Sequence, residues 1–80
     1  MGTERESITK EVGSRIRYAR KSRGMSMDEL AQAIYKTRSA ISKYENGQIS
    51  VDIATLYDIA NALKVSIYDL LHRNTPETKI

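Results

Sequence analysis

The chain reads as an all-α fold, a compact bundle of five short helices, and three observations predict it. Apolar residues recur at spacings of three and four, polar residues suited to capping precede most of the apolar runs, and no stretch alternates convincingly as a half-buried strand would. With 80 residues and 40% hydrophobic content, the chain can fill one core and not two.

Val12, Ile16 and Ala19 mark the first helix, expected over about residues 9–23, and Gly24 is placed to end it in the left-handed conformation. Ser26-Met27-Asp28-Glu29 has the pattern of a capping box, in which a serine oxygen takes the N3 amide and a glutamate reaches back to the serine amide. The second helix starts there, with Leu30, Ala31 and Ile34 as its apolar stripe. It is short, because Thr37 is another good N-cap and opens a third helix over about residues 38–46. Asp52 caps a fourth helix whose Ile53, Leu56, Ile59, Ala60 and Leu63 are expected on one face. Ser66 caps a fifth, carrying Ile67, Leu70 and Leu71. Residues 1–8 are expected to be a flexible N-terminal segment, 9–72 the folded domain, and 73–80, which contain the one proline, a flexible tail or linker.

Charge is unevenly placed. The formal net charge is +3, yet residues 15–43 hold eight bases against Asp28 and Glu29, and the remainder is net negative. A field so concentrated points to a polyanionic partner. The chain has no cysteine, which excludes a disulfide staple and thiolate metal site. His72 is the only histidine and no glycine-rich phosphate loop is present, so neither catalysis, a metal site nor a cofactor is expected, and no small-molecule ligand is evident. His72 fits better at the end of the fifth helix, which prefers positive charge. No apolar run is long enough to cross a bilayer and the N-terminus is too charged for a secretory signal. A soluble, cytoplasmic protein with no membrane partner is the expectation.

The third helix has two faces that do not mix. At about 100° per residue, Thr37, Ala40, Ile41 and Tyr44 share one arc of roughly 100°, while Arg38, Ser39, Ser42, Lys43 and Asn46 share another of roughly 140°. Such a helix is held by its back and free at its front. Glu45, in its last turn, faces the negative end of the helix dipole at a cost of a few tenths to about 1 kcal/mol, and a base from the first helix would compensate it.

These residues carry a resemblance. VGSRIRYARKSRGMSMDELA, TRSAISKYENG and TLYDIANALKVSIYDLL together resemble the helix-turn-helix domain of the Cro and lambdoid phage repressor (XRE-type) family over most of the chain. The resemblance implies a lambda-repressor-like DNA-binding domain in which helices 2 and 3 form the helix-turn-helix and helix 3 enters the major groove of double-stranded DNA. It implies that Arg20 pairs with Glu45. It also implies a transcriptional regulator, expected to be a repressor, that binds near-palindromic operators as a homodimer. Base edges would be read by Arg38, Ser39, Ser42 and Lys43, with Arg38 the first choice for guanine O6 and N7. Phosphates would be held at Ser26 and Met27, at Thr37, at the turn of Asn46, Gly47 and Gln48, and by Arg17. Ile49, Val51, Tyr57, Ile67, Tyr68 and Leu71 are the apolar surplus from which a dimer surface would be drawn.

Three positions depart from the family's pattern. Met27 stands where a phosphate-contacting glutamine is usual, and Tyr35 and Lys64 stand where glycines are. The competing reading is a protein-interaction module, such as the antitoxin of a toxin–antitoxin pair, for which five tyrosines would suit an interface.

Overall fold

Of the five helices among the described residues, four begin where a short polar side chain takes up an amide that the helix leaves open. A computed structural model describes residues 4–71, and in it α1 spans Glu4–Ser22, α2 Met27–Ala33, α3 Arg38–Glu45, α4 Ile53–Leu63 and α5 Ile67–Leu71. Among the described residues there is no strand. Ser26 Oγ accepts from the Glu29 amide at 3.0 Å while Glu29 Oε1 accepts from the Ser26 amide at 2.7 Å, completing the capping box. Thr37 Oγ1 accepts from the Ala40 amide at 3.0 Å and Ser66 Oγ from the Tyr68 amide at 3.1 Å. Asp52 accepts both the Thr55 hydroxyl at 2.7 Å and the Thr55 amide at 3.1 Å. These bonds, the hydroxyl's first, hold the Asp52 carboxyl below its ordinary value. The contribution of this cap is therefore present above the unfolded-state pKa and lost as pH falls through the lower folded value.

Every helix gives the core at least one fully buried side chain. Ile16 of α1, Leu30 of α2, Ile41 of α3, Ile59 and Leu63 of α4 and Leu70 of α5 are fully buried. α3 packs against both α1 and α2, so its back is covered along its length.

Two expectations change. α1 begins at Glu4, so residues 4–8 of the segment expected to be flexible are helical. Glu4 and Glu6 lie in the first turn, where carboxylates oppose the positive end of the dipole, and Thr9 Oγ1 meets Ser50 Oγ at 3.3 Å. Neither signal belongs to the apolar period, which starts later. Ile53, expected on the inner face of α4, is 60% exposed. It lies about 70° from the centre of the stripe formed by Leu56, Ile59, Ala60 and Leu63 and is the first residue of the helix. His72 and the tail at 73–80 lie outside the described residues.

Both non-glycine joints take left-handed backbone. Tyr35 and Lys64 each have φ of 59°, the conformation in which a Cβ crowds the following carbonyl. Relief of that strain is worth about 1–2 kcal/mol, against roughly 0.4–1 kcal/mol for the extra freedom of an unfolded glycine. Tyr35→Gly is therefore expected to raise stability by up to about 1 kcal/mol, a rise in Tm of up to about 4–8 °C on thermal denaturation. A lower Tm would mean that the exposed Tyr35 ring holds the turn by a contact worth more than the strain.

Candidate nucleic-acid interface

α3 is built with its polar side outward. Ile41, Tyr44 and Glu45 are buried, while Arg38, Ser39 and Lys43 are exposed and Ser42 is half-buried. The four side chains expected to read bases thus stand on one front, at the spacing of a single helix face. Arg38 Nε lies 4.0 Å from Asp28 Oδ1, but both side chains are about two-thirds exposed, at 68% and 71%. An ion pair so open is worth little and leaves the guanidinium able to swing. Ser42 Oγ has Asn46 Nδ2 at 3.4 Å, so one of its lone pairs is taken by the next turn.

The buried side of this helix is held by charge as well as apolar packing. Arg20 donates from Nε to Glu45 Oε2 at 2.6 Å and from a terminal nitrogen to Glu45 Oε1 at 3.0 Å. Its other terminal nitrogen donates to the Met25 carbonyl at 2.8 Å. The Glu45 side chain is 1% exposed and that of Arg20 8%. This two-pronged pair raises the Arg20 pKa further from its ordinary value, and it ties the end of α3 to α1 and to the turn that enters α2.

The residues expected to hold phosphates are exposed or half-buried, but several of their amides are already engaged. The Ser26 amide bonds Glu29 Oε1. Met27 and Asp28, as the first two helical residues, keep amides without an intrahelical acceptor. Thr37 Oγ1 serves as the cap of α3. In the turn after α3, the amides of Asn46, Gly47 and Gln48 all return to α3 carbonyls, those of Ser42, Tyr44 and Lys43. What this turn offers outward is the exposed side chains of Asn46 and Gln48. Arg17 is exposed on α1.

Three residues matter here that sequence reasoning did not single out. Gly13 is buried on α1, where an added Cβ would come 2.2 Å from the Tyr44 carbonyl oxygen and 2.7 Å from that of Glu45. Only a bare Cα lets α1 approach the end of α3 so closely. The signal was a glycine in mid-helix, which costs about 1 kcal/mol against alanine and wants a packing reason. Arg23 counted toward the basic field, yet it donates to the carbonyls of Leu63 at 2.7 Å and Lys64 at 2.8 Å, closing the end of α4. Lys10 lies over Gly47, whose Cβ, if present, would be 2.6 Å from Lys10 Cγ. No sequence signal marks the last two.

The apolar surplus is divided. Val51 and Ile67 pack against the core, whereas Ile49, Tyr57, Tyr68 and Leu71 are exposed. Val51 shares a shallow depression with Ile8 and Val12 near the start of α1. Tyr68 lines an open groove of about 920 Å³ with Tyr18, Ala19, Val65 and Leu70, near the other end of the same helix. Val51 and Tyr68 therefore lie toward different ends of α1. Neither depression is lined by a residue of α3.

Comparison with known proteins is consistent with this geometry. Residues 16–70 match the family model described as helix-turn-helix. The chain is 39% identical over 56 residues to an uncharacterized transcriptional regulator in the ATPase CF(0) region of Rhodospirillum rubrum, covering 70% of this chain and 52% of that protein. The chain thus spans about half the length of the curated relative it matches. Among solved structures, the clp gene regulator ClgR from Corynebacterium glutamicum is similar with a TM-score of 0.78 at 28% identity, over 80% of this chain and 83% of that one. The restriction-modification controller protein C.AhdI from Aeromonas hydrophila gives 0.80 at 26%, over 85% and 99%. An HTH_3 family transcriptional regulator from Vibrio cholerae gives 0.77 at 30%, over 82% and 37%. Among the described residues no helix is long and apolar enough to cross a membrane.

Proposed function

Since this chain belongs to the helix-turn-helix family, we propose that it is a transcriptional regulator that reads double-stranded DNA by laying α3 in the major groove. One observation carries the reading: the back of α3 is buried by α1 and α2 while Arg38, Ser39 and Lys43 stand uncovered on its front. A helix of that width fits the groove, and each base pair there presents its own pattern of donors and acceptors. Arg38 is assigned to a guanine through paired bonds to O6 and N7, Lys43 to a second acceptor, and Ser39 and Ser42 to less discriminating contacts. Ser26, Met27, Thr37, Asn46, Gln48 and Arg17 hold the backbone and fix the register.

The protein acts as a cytoplasmic homodimer on a near-palindromic operator, with the two α3 helices about 34 Å apart, and represses by occupying that operator. The dimer surface is drawn from the exposed residues Ile49, Tyr57, Tyr68 and Leu71.

Selection of bound duplexes from a random pool tests the reading. A recovered motif with two half-sites one helical turn apart is the expected result, and no enrichment at any salt concentration would overturn it. On the recovered site, Arg38→Ala is expected to cost about 1–3 kcal/mol of binding while barely changing affinity for random duplex. Equal losses on both would make Arg38 a phosphate contact instead.

A further inference from the structure

Resting on the DNA reading above, we propose that one edge of α1 is a second element along the nucleic acid, a basic ridge on which Lys10 and Lys21 join Arg17 in gripping a phosphate backbone. The three residues are seven and four apart, which puts them within about 60° of one another round the helix and makes the ridge roughly 16 Å long. All three are exposed. Glu11 is the one carboxylate between Lys10 and Lys21 in sequence. It lies about 100° from Lys10 round the helix, and Arg15 approaches it at 3.8 Å. Glu6 continues the ridge at its amino-terminal end and bounds it there.

Contacts at both ends set this edge beside α3. At the amino-terminal end, the Lys10 stem lies on Gly47, between Asn46 and Gln48, and its Cα is 2.9 Å from where a Gly47 Cβ would be. The exposed Lys10 therefore has its stem beside the turn on which the Asn46 and Gln48 side chains are exposed. In the middle, Gly13 holds the helix against the Tyr44 and Glu45 carbonyls. Toward the other end, Arg20, the neighbour of Lys21, fixes α1 to Glu45 and to the Met25 carbonyl. Glu45, the carboxylate nearest this seam, is buried in that pair and adds no open negative charge to the edge. A duplex strand carries one charge per ~3.4 Å of axis, so a ridge of this length faces several phosphates and releases their counterions. The ridge positions and strengthens binding without reading sequence.

Fluorescence anisotropy with a labelled random-sequence duplex across a series of KCl concentrations tests it. For the Lys10→Gln/Lys21→Gln variant, the slope of log K against log salt is expected to be shallower than wild type by about 1.8, since each phosphate left unneutralised lowers it by about 0.9. Arg15→Gln, on the side of α1 that faces α5, is expected to keep the wild-type slope, and melting curves verify that each variant is folded. A wild-type protein that binds while the double variant keeps its slope overturns the ridge and leaves the α3 reading standing. An equal change in Arg15→Gln would reduce the effect to net charge and overturns it as well. A wild type that binds no duplex overturns both.

Discussion

Glu45→Ala is expected to destabilise the domain by about 3–5 kcal/mol, the cost of stripping one partner from a buried ion pair and leaving the other charged and dry. The Arg20 guanidinium would retain the Met25 carbonyl but lose both carboxylate oxygens at a site where its side chain is 8% exposed. Against a total stability of about 5–15 kcal/mol for a small domain, that is a large share. Urea denaturation measures it, with the midpoint falling and the slope unchanged. Arg20→Met/Glu45→Leu, which removes both charges, is expected to be more stable than Glu45→Ala although it leaves the Met25 carbonyl short of a donor. A Glu45→Ala variant within 1 kcal/mol of wild type would show that water reaches the pair.

Gly13→Ala carries the second large effect, and its sign is what makes it informative. Helix propensity alone favours alanine by about 1 kcal/mol in the middle of α1. The added methyl would meet backbone oxygens of Tyr44 and Glu45, which cannot rotate away as a side chain can. Overpacking of that kind costs about 1–3 kcal/mol or more, so a net loss of stability is expected. A thermal melt decides it, since a higher Tm would mean α1 and α3 are not in such close approach. Because the clash falls on the last turn of α3, the variant should also lose affinity for the selected duplex beyond what its stability explains.

Much of the architecture was legible in the chain because its signals are local. A cap and its amide are three residues apart, an apolar stripe repeats every three or four, and Gly24 answers to its own backbone, with φ of 67°. So the starts of α2 to α4 and the two-faced character of α3 follow from short stretches, whereas the joints at Tyr35 and Lys64 stood out only against the glycines of the family pattern. The start of α1 did not, because Glu4–Ile8 lie ahead of the apolar period and α1 reaches the turn after α3 through Thr9, at Ser50, and Lys10, at Gly47.

The candidate site divides along the same line. That Arg38, Ser39, Ser42 and Lys43 share a face is arithmetic on the helical repeat, whereas their exposure depends on where α1 and α2 lie. The Arg20 and Glu45 partnership was implied by resemblance, since no spacing rule joins residues 25 apart. The division of the basic charge was legible in neither way. Arg23 is turned to the end of α4, 40 residues on, while Lys10, outside the basic stretch, is placed beside the turn after α3.

By itself, then, the sequence determined which segments become helices, where most of them begin, and which side of each is apolar, since each of these is settled within a turn or two of backbone. Only the tertiary structure decided which charges are buried in pairs, which are spent closing another helix, and which are left facing outward. That depends on how closely helices distant in the chain approach, and at Gly13 the approach is set by the absence of a single carbon.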